Sequence, residues 1–189
     1  RNGANYCGRM WWMLKWLGHD AVAVLDGGLQ AWEASGGAVE KGAPAALKPI
    51  ASNFELKSAL REWVRTDQLA PQVGHPNLTL IDARAAARYR GEVEPLDPVA
   101  GHIPGALNRP FAENLGADGF FKSPEVLKAE FEKLLAGRDP ATVVHHCGSG
   151  VSTVPNILAM EIAGLGITRL YPGSWSEWCN TPGLPCAKG

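Results

Sequence analysis

One cysteine in a glycine-rich loop is the residue of this sequence best placed for covalent chemistry. Cys147 follows a β-branched stretch at residues 142–146 and precedes the loop 148–152. After this loop, apolar residues recur at the three- and four-residue spacing of a helix. The pattern predicts a strand, a tight loop and a helix, with Cys147 at the carboxyl end of the strand. Ligands of parallel α/β sheets bind at this end.

The predicted loop would stabilise a negatively charged sulfur. Gly148 and Gly150 allow the backbone to curl, so that several amide N–H groups point inward. Ser152 is the predicted N-cap of the following helix, whose N-terminus adds about half a positive charge. Such surroundings favour the nucleophilic thiolate of Cys147 and would equally stabilise a persulfide anion. The alternative is a Gly-rich β–α turn around an inert, buried cysteine.

The other three cysteines lie in less informative surroundings. Cys7 is expected to be a small buried hydrophobe, and no role is predicted for Cys179 or Cys186 in the Pro/Gly-rich tail. No C-x-x-C pair occurs and the histidines complete no zinc pattern, so we expect neither a metal nor another cofactor. Two disulfides are the less favoured alternative for an even cysteine count.

Composition indicates an ordinary globular protein. The 189 residues carry a formal net charge of −1, and 46% of them are hydrophobic. This charge gives no bulk attraction to nucleic acid or to an anionic membrane, so neither partner is expected. No apolar run approaches the roughly 20 residues that span a bilayer, and residues 10–17 lack the features of a signal peptide. A cytoplasmic location is therefore expected.

Alternating strand and helix patterns predict an α/β fold with a parallel-type sheet flanked by helices. The predicted strands are residues 78–81, 106–108 and 142–146; the predicted helices are residues 66–69, 85–89 and 123–135, together with the helix after the cysteine loop. In the third of these helices, Ser123 is a cap and Pro124 stands at the first position.

Two distant stretches, residues 11–32 and 156–178, read alike. In each stretch, an apolar helical pattern ends at a Leu-Gly pair. A short strand, a turn and a short helix that contains a Trp follow it. This similarity predicts an internal repeat. Before the first copy there is almost no sequence, so we predict a C-terminal remnant of one domain at residues 1–40, a Gly/Ala/Pro-rich linker at 41–52, and a complete domain at 53–189.

Several motifs resemble those of rhodanese-type sulfurtransferases, and in particular of the 3-mercaptopyruvate kind. The loop Cys-Gly-Ser-Gly-Val-Ser at 147–152 resembles that family's active-site loop Cys-Gly-Ser/Thr-Gly-Val-Thr. Further landmarks follow in the family's order: Asp82-Ala83-Arg84, Arg88-Tyr89-Arg90-Gly91, Gly101-His102-Ile103-Pro104-Gly105-Ala106 and Tyr171-Pro172-Gly173-Ser174-Trp175. The resemblance covers the whole predicted second domain and implies a rhodanese-like fold there, preceded by a partial copy of it.

The resemblance implies a sulfurtransferase in which Cys147 carries a sulfane sulfur as a persulfide. The donor would be 3-mercaptopyruvate or thiosulfate, and the acceptor cyanide or a thiol such as thioredoxin or a small thiol. Ser149 would assist proton movement, and Arg88 would bind the donor's carboxylate. The remaining loop residues would supply backbone amides to the substrate: Gly148, Gly150, Val151 and Ser152. Because the loop itself has no cation, mercaptopyruvate is the expected donor.

Two departures from the family pattern bear on activity. The family's second arginine is absent from residues 92–97, and the aspartate and histidine that would partner Ser149 belong to a part of the first domain that this sequence lacks. We therefore expect slow turnover, and self-association through the tryptophan-rich N-terminal segment.

A non-catalytic rhodanese-like binding module is the main alternative. A cysteine phosphatase is less favoured, because the arginine that it needs would stand at Thr153.

Overall fold

The computed structural model describes residues 4–43 and 53–189. Residues 41–43 of the predicted linker form no helix or strand, and the rest of that linker lies outside the described residues. The helices are α1 (Asn5–Trp16), α2 (Gly28–Ala34), α3 (Thr66–Leu69), α4 (Ala86–Tyr89), α5 (Pro124–Leu135), α6 (Val154–Ile162) and α7 (Ser174–Asn180). The strands are β1 (Thr79–Asp82), β2 (Leu107–Asn108), β3 (Val143–His146) and β4 (Arg169–Leu170).

The four strands form one sheet in the order β2-β1-β3-β4, and every neighbouring pair is parallel. In the register of β1 with β3, Asp82 lies opposite His146. The loops that follow these two strands therefore leave the sheet at the same edge. This arrangement confirms the predicted α/β fold with a parallel sheet.

Helices cover both faces of the sheet, which is why its two central strands are fully buried. Successive strand residues point to opposite faces. Leu80 and Val144 join a core with Trp175 and Trp178 of α7. On the opposite face, a second core holds Ile81 and Val143 with residues of α5 and α6: Leu127, Phe131, Leu135, Ala159 and Met160.

Helix α5 shows how local sequence determines an element. Ser123 accepts a hydrogen bond from the Val126 N–H, and Pro124 occupies the first helical turn. Leu127, Phe131 and Leu135 recur every four residues and are all buried. Burial of each such side chain stabilises the fold by about 1.5–3 kcal/mol. The position of this helix agrees with the prediction.

The N-terminal segment packs on the rest of the chain through α1. Trp11 and Trp12 are buried in a cluster with side chains of α6, namely Val154, Ile157 and Leu158. The prediction that Cys7 is buried was wrong: Cys7 is exposed, on a part of α1 that does not face α6. No helix within residues 4–43 and 53–189 combines the length and the apolarity needed to cross a bilayer.

The first copy of the predicted repeat forms its two helices, α1 and α2, but not its strand. Residues 21–25 have no strand assignment, whereas the corresponding part of the second copy forms β4 beside β3. A strand needs a neighbour to accept its backbone hydrogen bonds. Residues 21–25 have no such neighbour in the described chain, so this part of the prediction was wrong. The repeat itself stays a prediction.

Candidate active site

Cys147 lies directly after β3, and the start of α7 holds its backbone. Its N–H donates a 3.1 Å hydrogen bond to Ser174 Oγ, and its carbonyl accepts one of 2.9 Å from the Trp175 N–H. Ser174 Oγ donates in turn to the Tyr171 carbonyl. Ser174 has a φ of 56°, which is uncommon for a residue with a side chain. This backbone conformation places its buried hydroxyl between the two partners. Cys147 itself is only 2% exposed.

Two carbonyls of the loop after Cys147 accept hydrogen bonds from outside the loop, whereas the loop's amides have no partner among the described residues. Gly148 O accepts a 2.9 Å hydrogen bond from the Ser176 N–H, and Gly150 O accepts one of 3.0 Å from Arg9 Nη1. In contrast, the N–H groups of residues 148–152 donate no hydrogen bond to any residue that the structure describes. Five consecutive amides therefore have no hydrogen-bond partner within the described residues, and their role in holding an anion stays a prediction.

Gly150 is required by the shape of the loop. Its φ is 75°, and a Cβ at this position would lie 2.7 Å from the Pro172 carbonyl oxygen. Any larger residue would be strained and would also collide with the backbone before α7. The turn after Cys147 thus depends on a glycine for two independent reasons.

The predicted cap at Ser152 was wrong. Helix α6 begins at Val154, and the residue before it, Thr153, already has helical angles and makes no side-chain cap hydrogen bond. Pro155 has no N–H, so the first turn has one amide fewer to satisfy. Ser152 is half-buried within the turn itself.

Ser149 stands at the tip of the loop. It is exposed, and its hydroxyl makes no hydrogen bond with the part of the chain that the structure describes. The structure therefore brings Ser149 into the same loop as Cys147 but does not join the two side chains.

Arg88 lies on α4, the helix that follows β1, and its guanidinium lies next to the loop after Cys147. A Cβ on Gly148 would lie 3.6 Å from Arg88 Nη1, which is ordinary contact distance. The guanidinium is also engaged by acids: Nη2 donates to Glu94 Oε1 at 2.5 Å and lies 3.5 Å from Asp97 Oδ2. Arg88 is thus next to the loop, with its charge already partly neutralised.

The hydrogen bond from Arg88 keeps Glu94 ionised as a carboxylate. Burial opposes its ionisation, but the hydrogen bonds from Arg88 and from the Leu96 N–H outweigh burial, so the pKa of Glu94 lies below its ordinary value. Glu94 also pairs with Arg84, whose side chain is buried. Arg84 forms a 2.6 Å ion pair with Asp82 and is therefore part of the framework beneath the loop.

His145 and His146 lie on β3 immediately before Cys147, and both are completely buried. Burial, followed by repulsion from His146, lowers the pKa of His145 to about 3. Burial likewise lowers the pKa of His146. Each ring keeps one nitrogen without a hydrogen-bond partner in the described structure. Both are neutral near pH 7, so neither contributes positive charge to the loop.

Three residues at this site were missed in the sequence: Ser174, Arg9 and Glu94. Ser174 stood in a recognised motif, but nothing indicated that its hydroxyl accepts a hydrogen bond from the Cys147 N–H. Arg9 is 141 positions from its partner Gly150, and no local pattern predicts such a contact. Glu94 lies in the segment that lacks the family's second arginine, and no local pattern indicated its contact with Arg88. Within the described chain, no cluster of three or more His, Cys, Asp or Glu could hold a metal.

Known proteins resemble this chain in sequence and in fold. A model of the rhodanese-like domain matches residues 65–181. Over 97% of the chain, 48% of residues are identical to a probable 3-mercaptopyruvate sulfurtransferase of Pseudomonas aeruginosa, and over 93% of the chain, 35% are identical to the thiosulfate sulfurtransferase of Mus musculus. A 3-mercaptopyruvate sulfurtransferase from Leishmania major superposes with a TM-score of 0.77 and 35% identity, covering 94% of this chain and 49% of its own.

The chain spans 64% of the length of the Pseudomonas protein and 59% of the mouse protein. Its matched domain includes the loop after Cys147, Arg88 of α4 and helix α7, which holds the Cys147 backbone. On this match and these identities, the chain belongs to the rhodanese-like domain family.

Proposed function

We propose that this chain transfers a sulfane sulfur through a persulfide on Cys147. The observation that carries the proposal is the set of five amides at residues 148–152 that have no partner among the described residues. They lie next to a cysteine whose own backbone is fixed by α7. A loop of this kind stabilises a thiolate and a terminal persulfide sulfur, because both present negative charge to N–H groups. The names of the relatives support the same chemistry.

With 3-mercaptopyruvate as donor, the Cys147 thiolate attacks the donor's sulfur. A sulfur–sulfur bond forms and the carbon–sulfur bond breaks. The electron pair goes to carbon as the enolate of pyruvate, which then takes a proton. With thiosulfate, the same attack expels sulfite. An acceptor thiolate then attacks the outer sulfur of the persulfide and restores the Cys147 thiolate.

We assign Arg88 to the donor's carboxylate, because its Nη1 lies beside Gly148, while Nε and Nη2 donate to Glu94. Ser149, exposed at the loop tip, is assigned to proton transfer to the enolate carbon. The acceptor is a small thiol, a thioredoxin-like protein or cyanide. We also propose a cytoplasmic location, which the four free cysteines support because disulfides are rare in that compartment.

Intact-protein mass spectrometry tests this function. The protein is incubated with 3-mercaptopyruvate or thiosulfate, and the added mass of one sulfur atom is measured. Cys147→Ser should lose this adduct, while Cys7→Ser, Cys179→Ser and Cys186→Ser should keep it. Mercaptopyruvate should give the faster reaction, because a dianion is more costly to desolvate than a monocarboxylate. An adduct that persists in Cys147→Ser would overturn the proposal, and wild-type protein without any adduct would favour a non-catalytic binding module.

A further inference from the structure

Arg9 connects the N-terminal helix to the candidate active-site loop. Its Nη1 donates a 3.0 Å hydrogen bond to the carbonyl of Gly150. The guanidinium also lies 5.7 Å from the ring centre of Trp12, which is itself buried against α6. Arg9 is half-buried, so its side chain is held between a packed aromatic ring and the loop backbone.

The geometry of the peptide bond gives this contact a consequence for the loop. In a trans peptide, the C=O and N–H groups lie in one plane and point in opposite directions. A carbonyl of Gly150 held towards Arg9 therefore directs the N–H of Val151 away from Arg9. Two other peptides of the loop are held in the same way. The Trp175 N–H binds the Cys147 carbonyl and so orients the N–H of Gly148. The Ser176 N–H binds the Gly148 carbonyl and so orients the N–H of Ser149.

Two of these three anchors are backbone groups of α7, but the third is a side chain. Gly150 has a φ of 75° and little intrinsic preference for one orientation of the peptide that follows it. Without Arg9, that peptide could rotate and present its carbonyl oxygen, instead of an N–H, to the anion. A carbonyl oxygen would repel a thiolate or a persulfide. Arg9 also places a full positive charge at a loop that has no cation of its own.

We infer that Arg9 is a positioning residue that holds the Gly150–Val151 peptide in the orientation that stabilises the anionic sulfur of Cys147. This inference rests on the proposed function. It assigns to the N-terminal helix a direct part in the reactivity of a cysteine 138 positions away, in addition to its packing on α6.

Reactivity of the Cys147 thiol measures this role separately from stability. The rate of alkylation by iodoacetamide is followed at Cys147 by peptide mass spectrometry, at neutral pH and at a pH high enough to ionise all thiols. In Arg9→Met, the neutral-pH rate should fall about tenfold while the high-pH rate stays near that of wild type, because the change acts on the thiolate fraction. Arg9→Lys, which keeps a charged donor, should recover most of the loss. If Arg9→Met does not fold, Arg9→Ala gives the same comparison, because it too removes both the hydrogen-bond donor and the charge.

Lys15→Met is the matched control, since Lys15 lies on the same helix but pairs with Asp20 instead of the loop. It should leave alkylation unchanged. A neutral-pH rate in Arg9→Met equal to that of wild type, or an equal loss in Lys15→Met, would overturn the inference. These rates do not depend on any sulfur donor. Wild-type protein that forms no persulfide would therefore contradict the proposed function without deciding the role of Arg9.

Discussion

Arg88 and Glu94 are joined by a 2.5 Å hydrogen bond between Nη2 and Oε1, beside Gly148 in the loop after Cys147. The side chain of Glu94 is only 3% exposed, so water screens this pair weakly. A donor carboxylate that binds Arg88 must share the guanidinium with a carboxylate already present. The segment in which the family resemblance implied a second arginine thus carries the opposite charge.

Neutralising Glu94 should strengthen the binding of anionic donors. Glu94→Gln keeps the size of the side chain and removes its charge, so KM for mercaptopyruvate should fall several-fold. Arg88→Ala should raise KM, since a hydrogen bond to a charged group contributes about 1.5–3 kcal/mol, or roughly 10- to 150-fold. Steady-state kinetics of both variants provide the measurement. Glu92→Gln is the control, because Glu92 is exposed and pairs with Arg90 instead. A higher KM in Glu94→Gln would mean that Glu94 mainly holds Arg88 in place.

The two buried histidines should make the protein sensitive to mild acid. The folded-state pKa of His145 is about 3, below its ordinary 6.5, so between these values the unfolded chain binds more protons than the folded one. Stability therefore rises with pH across this window and falls as the solution is acidified from about pH 6.5. The slope is about 1.4 kcal/mol per pH unit for each such histidine.

Urea unfolding at several pH values measures this slope. His145→Leu should make the slope of unfolding free energy against pH shallower. The slope can be measured even if the variant is less stable overall. His75→Gln replaces an exposed histidine and should keep the wild-type slope. Identical slopes in His145→Leu and wild type would show that His145 is not the source of the acid sensitivity.

Features determined by neighbouring residues were the ones that the sequence predicted well. Helix α5 follows from a cap, a proline and a four-residue repeat, all within a dozen positions. The loop after Cys147 was predicted from two glycines and the strand before them. By contrast, the strand predicted at residues 21–25 requires a partner strand, and a one-dimensional pattern does not reveal whether that partner exists.

The details of the site were less predictable because they depend on contacts between distant elements. Arg9 contacts Gly150 only because α1 packs on α6. Ser174 contacts Cys147 only because the start of α7 packs against the end of β3. The predicted cap at Ser152 failed for a local reason, since helical angles already begin at Thr153. The sequence therefore predicted the position of Cys147 and of the loop after it, whereas the groups that hold them were visible only in the packed structure.

The N-terminal helix should be needed for a stable and monodisperse chain. Trp11 is 6% exposed, contacts the apolar face of α6 and lies under the guanidinium of Arg61 at 5.0 Å. Trp11→Ala should weaken the packing of α1 on α6 by about 3–5 kcal/mol, the range for truncation of a buried aromatic side chain.

Undocking of α1 would expose Val154, Ile157 and Leu158 together, and an apolar patch of this kind drives association. Trp11→Ala should therefore lose hydrogen-exchange protection in α1 and self-associate with rising concentration in analytical ultracentrifugation. Trp32→Ala removes the same side chain from α2, where it is 45% exposed, and should change either measurement far less. If the two variants behaved alike, the contact between α1 and α6 would not be what keeps this surface covered.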